Sequence, residues 1–179
     1  MTKAFLAILA IFIIAALMGH CREASAKDYY MDLGLSIEDE NSYVPHIKIL
    51  KAATQDDTVH IRLANFGGNI WVGAILFNAI ELSQAHVVMD VEAPSFSMGA
   101  MLACAGDEIN VQPYSWLMYH AGSSILMGKT SDSVAMLNAA NRLSRKMMQQ
   151  CTKLGILTES QITEIENGRD IYVFPEDIK

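Results

Sequence analysis

The sequence predicts an α/β domain with largely parallel strand pairing. Three observations predict it. Segments of strand and helix character alternate in the order β-α-β-α-β-α-β-β-α-α-β, which is the order of βαβ units rather than of hairpins. The strand-like segments are short, and residues 58–65 (TVHIRLAN) put Val59, Ile61 and Leu63 on one side and His60, Arg62 and Ala64 on the other. The chain has 179 residues, with no internal repeat, low-complexity segment or long Pro/Gly linker. That length suits one domain with one core.

Residues 1–26 stand apart from this domain. A positive start with Lys3 leads into an apolar run over 4–18, then a polar stretch ending Ala24-Ser25-Ala26. This is the anatomy of an export signal cut before Lys27. The run is short for a membrane span, which needs about 20 apolar residues. A retained membrane anchor over 4–18 is the alternative. Cys21 does not suggest a lipoprotein site, because His20 before it is too large and polar.

The expected domain covers 27–179, and its elements follow in order. Residues 29–37 are mostly apolar and read as a first strand. Ser42 is placed to cap a helix over 43–53, with Pro45 in the first turn, where proline is tolerated. The alternating segment 58–65 is the second strand, with His60 on its wetter face. FGGN breaks it, and 70–84 is helical by length and apolar stripe. Residues 86–93 form a buried strand. A small-residue helix follows Ser97 to about Ala105, with Gly106 as its stop. Two short strands follow at 108–113 and 116–120. The longest helix covers 131–154, with Thr130 or Ser131 as cap and Gly155 as stop. Its Arg142, Arg145, Lys146 and Lys153 favour the C-terminal half, as the helix dipole prefers. Thr158 and Gln161 make a capping box for a short helix that stops at Asn167-Gly168. Residues 169–174 read as a last strand.

Composition excludes some functions. The formal net charge is −7. Binding to nucleic acid needs clustered Lys and Arg. The one basic cluster, Arg142 to Lys146, reads as the polar face of a helix. No Cys/His spacing suits zinc. Beyond the leader the cysteines are Cys104 and Cys151, both in apolar helical contexts. Burial as two small core residues is the expected reading. Pairing stays open, since an oxidising compartment permits it.

Three features are candidates for chemistry. Ser97 follows a strand and starts a helix, where backbone N–H groups point outward and small neighbours admit a substrate. The same Ser-x-Gly-Ala pattern also occurs in tightly packed helices. Gly67-Gly68 at a strand end can place an N–H over an adjacent site, or simply make a turn with positive φ. His120 ends a strand at a loop mouth, as a base or as a packing residue.

Taken together these pieces form a pattern: Gly-Gly at a strand end, Ser-Met-Gly-Ala at a helix start, then LAxAGDxxxxxPxSxLMxH over 102–120. In this the chain resembles the ClpP serine peptidases, within the wider ClpP/crotonase fold, over residues 29–174. The resemblance implies a spiral of β-β-α units, with the helix at 131–154 as a handle joining subunit rings. It implies Ser97 as nucleophile, His120 as base and Asp170, in NGRDIYVF, as the third triad member. The oxyanion donors would be the N–H groups of Gly68 and Met98. It implies peptide or unfolded-protein substrates, a homo-oligomeric ring, and no metal or cofactor.

The sequence departs from that family in places. NFGGN stands where Ser-Pro-Gly-Gly is usual, so Phe66 replaces proline. AGSS follows His120 where Gln-Pro is usual. The family continues past the position of Lys179 with a helix and a strand. ClpP also works with an ATPase through an N-terminal segment, whereas a cut after Ala26 leaves only Lys27 and Asp28 before the first strand. An exported enzyme would have no ATP beside it, so activity without an ATPase partner is expected. The exported signal-peptide peptidase A type uses a serine–lysine dyad, for which Lys129 is the nearest lysine. It lacks a matching motif, so His120 is preferred. Two other functions compete: a catalytically silent scaffold subunit and a crotonase-type acyl-CoA enzyme. Neither needs a serine, a histidine and an aspartate in these places.

Overall fold

A computed structural model describes residues 25–122 and 129–178. The apolar run over 4–18 lies outside the described residues. Among the described residues no helix is long and apolar enough to cross a membrane.

The first sheet has four parallel strands in the order β1-β2-β3-β5: β1 (Asp28–Asp32), β2 (Thr58–Leu63), β3 (His86–Val91) and β5 (Glu108–Val111). Alternation sets its two faces. Met31, Val59, Ile61, Leu63, Val87, Met89 and Val91 point inward. They join Leu50 of α1 (Val44–Ala52) and Leu76, Phe77 and Ile80 of α2 (Ile70–Glu81) in one buried cluster. The opposite face is polar. There Arg62 bridges Asp32 and Glu92, and His60 Nδ1 lies 3.0 Å from Asp90 while its ring stacks on Tyr30. His60 thus sits on the wetter face, as the alternation predicts.

The second sheet is smaller, in the order β4-β6-β7: β4 (Ser95–Phe96), β6 (Leu117–Tyr119) and β7 (Ile171–Val173). β4 and β6 are parallel, and β7 is antiparallel to β6. Two units, β3-β4-α3 and β5-β6-α4, each give one strand to each sheet and then a helix; α3 is Met98–Leu102 and α4 is Thr130–Lys153. The two earlier units repeat this with the second strand reduced to a single parallel bridge, Ile37 to Gly68. This is the expected spiral of β-β-α units.

Several boundaries differ from expectation. β1 stops at Asp32, because Asp32 accepts from the N–H of Gly34 at 2.7 Å and turns the chain. Ser42 does not cap the first helix: Asp39 caps a 3-10 turn at Glu40–Tyr43 that leads into it, and Tyr43, in the helix's own cap position, makes no side-chain capping bond. β4 was not anticipated: two residues are too few for alternation to register. α3 stops at Leu102, short of Ala105. Gly106 is needed instead for close packing, since a Cβ there would fall 2.5 Å from Met89 Cγ. α4 starts at Thr130 with Lys129 in the cap position and no side-chain cap. The capping box of α5 (Glu159–Glu166) and its Asn167-Gly168 stop appear as expected, with Gly168 at φ 91°.

The structure decides the cysteine pairing that the sequence left open. Cys104 and Cys151 are core residues, but they are also bonded to each other, with Cα atoms 4.9 Å apart.

Candidate active site

The spiral brings the ends of its second-layer strands together. Gly68 lies at the entry to α2, Ser97 at the end of β4 and His120 at the end of β6. β4 and β6 run parallel with Phe96 opposite Met118. Ser97 and His120 therefore leave neighbouring strands on the same side. The antiparallel β6–β7 register pairs Tyr119 with Ile171, so Asp170 falls opposite His120 one step further on. Ser97, His120 and Asp170 thus lie at the same end of the second sheet, and Gly68 lines a cavity with Ser97 and His120.

Ser97 is held in an unusual backbone state. Among the described residues it is the only non-glycine with positive φ, 56°. Such a conformation persists only where the surroundings over-determine it. Its N–H donates to Met118 O at 2.8 Å, and its C=O accepts from Met101 N–H at 3.0 Å. It is the N-cap of α3, yet its hydroxyl makes no capping bond. An ordinary N-cap serine spends its oxygen on the helix; this one does not.

Asn65, fully buried, shapes the turn beside it. Its Oδ1 accepts from Gly67 N–H and its Nδ2 donates to Gly34 O, each at 2.8 Å, and its C=O accepts from Phe96 N–H at 2.8 Å. The glycines answer to contact rather than to turn geometry alone. A Cβ on Gly67 would lie 2.7 Å from Ser97 Cβ, and one on Gly68 only 2.2 Å from Ile37 O. A Cβ on Gly99 would lie 2.6 Å from Asn65 O. Among the described residues Gly68 N–H meets no backbone acceptor. Met98 opens α3, so its N–H has no partner in the preceding turn.

A cavity of about 530 Å³ gathers these groups. Ser97, Met98, Gly68 and His120 all line it, with apolar walls from Phe66, Trp71 and Met101. α4 closes one side through Leu137, Ala140, Asn141 and Ser144. Lys129 is exposed at the start of α4 and is not among the described lining residues. Asp170 is exposed and does not line the cavity. Among the described residues no hydrogen bond joins Ser97 to His120, or His120 to Asp170. Four predicted positions thus share the cavity. The fifth is placed by register alone.

Sequence reasoning missed three contributors. Asn65 carried a signal, since an asparagine two residues before a glycine favours such a side-chain turn. The α4 wall carried none, because its residues reach the cavity of Ser97 from forty or more positions further along the chain. The Cys104–Cys151 bond depended on the same long-range packing.

Residues 21–179 match the model of the Clp protease family. A curated relative, the "ATP-dependent Clp protease proteolytic subunit" of Deinococcus radiodurans, is 23% identical over 155 residues, covering 84% of this chain and 76% of that protein.

Proposed function

The chain belongs to the Clp protease family, and on that premise we propose that it is a serine endopeptidase of peptides or unfolded proteins. Ser97 attacks the scissile carbonyl, and His120 takes its proton and returns it to the leaving amine. Asp170 orients the imidazole and stabilises its charged form. The N–H groups of Gly68 and Met98 hold the oxyanion. The observation that carries this reading is the strained Ser97, its hydroxyl free of the helix, sharing one cavity with His120 and both N–H donors.

The proposed setting is outside the cytoplasm, after a cut between Ala26 and Lys27. The disulfide supports it, because disulfides persist mainly in oxidising compartments. The active form is a homo-oligomeric ring that works without an ATPase. Intact mass of the exported chain would begin at Lys27, and a retained leader would favour the membrane-anchored form.

A fluorophosphonate probe tests the chemistry. Label on Ser97, absent in Ser97→Ala, is expected. One observation favours a second reading, a catalytically silent subunit: Asp170 is exposed and unbonded to His120. A folded, assembled sample that takes no label would bring that reading forward.

A further inference from the structure

α3 is five residues long. Isolated helices shorter than about 12–15 residues are marginal in water, so α3 needs outside support. Its N-cap is Ser97, whose backbone state also needs its surroundings held firm. Support arrives at the other end of the helix. Cys104, two residues past α3, is bonded to Cys151 in the last turn of α4. Tyr119 Oη donates to Ala100 O at 3.0 Å, in the middle of α3, and lies 3.3 Å from Cys104 Sγ and 3.8 Å from Cys151 Sγ. All three residues are buried. Tyr119 ends β6, and the next residue is His120. A further bond, Ser144 Oγ to Met101 Sδ at 3.7 Å, ties α3 to α4 one cavity wall away.

We infer that the Cys104–Cys151 disulfide and the Tyr119 phenol form a clamp that positions Ser97 on α3 against His120 on β6, with α4 as the anchor. None of the three lines the cavity among the described residues. They are positioning residues: they act through Ser97 and His120 and touch no substrate. The same bond fixes the α4 wall, so nucleophile, base strand and substrate wall share one buried junction. The inference rests on the serine-peptidase reading.

The test uses the full assembled protein beside Cys104→Ala/Cys151→Ala and Tyr119→Phe, at a temperature well below each unfolding midpoint. Two quantities are read: the rate of fluorophosphonate labelling at Ser97, and kcat and KM on a short fluorogenic peptide. Small misplacements of reacting groups are costly. Labelling and kcat are expected to fall together by about tenfold in the alanine pair and about threefold in Tyr119→Phe, with KM unchanged. A purely structural role would lower the midpoint and leave kcat alone. Should the alanine pair fail to fold, Tyr119→Phe on the intact disulfide decides by the same readout. Wild-type rates in a folded variant overturn the clamp. An unlabelled wild type overturns the peptidase reading, and the clamp with it.

Discussion

Ser97 carries most of the weight at the scale of single residues. On the proposed mechanism, Ser97→Ala should lower peptide hydrolysis by about 10⁴-fold or more, with little change in the thermal midpoint, because it would remove the proposed nucleophile and almost no packing. Gly67→Ala tests the neighbouring turn. Its Cβ would lie 2.7 Å from Ser97 Cβ and 2.9 Å from Phe96 O, at a φ of 94°. A cost of about 1–3 kcal/mol in denaturant unfolding is expected, with a loss of kcat. Asp57 bears on pH. Its carboxylate accepts from Thr54 N–H at 2.8 Å, from Thr54 Oγ1 at 2.9 Å and from Lys27 N–H at 3.0 Å. These bonds, the Thr54 N–H foremost, hold its pKa below the usual carboxylate range. A depressed folded-state pKa means the contribution is complete above the unfolded value of about 3.9 and lost as pH falls through the folded value. Thermal midpoints measured from pH 6 downward should therefore converge for wild type and Asp57→Asn in the acid range, having differed above it.

At the scale of elements, the helices, the strands of the first sheet and β6 and β7 of the second were legible, and β4 was not. β2 and β3 show their alternation or apolar run over six residues each. β4 has two residues, and it is a strand only because β6 lies beside it. Caps were legible where one side chain decides them, as with Thr158 and Gln161 in α5. They were misread where a 3-10 turn capped by Asp39 takes in Ser42 ahead of the helix. The disulfide links α4 to the end of α3 across a separation of 47 residues. Closing a loop of that size in the unfolded chain is worth about 4 kcal/mol. Denaturant unfolding with and without a dithiol reductant should show a loss of that order.

At the scale of the whole molecule, α4 is divided. Met147, Met148 and Cys151 are buried in the core, whereas Val134 and Met136 are each 51% exposed and Leu137 is 38% exposed. The first half of the helix thus presents apolar side chains to its surroundings, as an assembly surface would. Within the proposed ring, Met136→Glu would place a charge on that surface. Light scattering should then give a lower assembled mass, with monomer secondary structure intact by circular dichroism. An unchanged mass would place the assembly contacts elsewhere.

Local chemistry was enough to determine the α/β class and the order of the main elements and to single out Gly67-Gly68, Ser97 and His120 as candidates, while their grouping, and Met98 with them, followed from the family resemblance. The local readings depend on short-range causes: alternation over a few residues, small residues where backbones meet, a serine at a strand-to-helix turn. Three things were decided only by tertiary structure. Asn65 became the turn's organiser because Gly34 and Phe96 arrived beside it. Cys104 met Cys151 because α4 returns along α3. Asp170 came opposite His120 because β7 pairs antiparallel with β6. These contacts join residues far apart in the chain. Their free energy comes from packing that no local window contains.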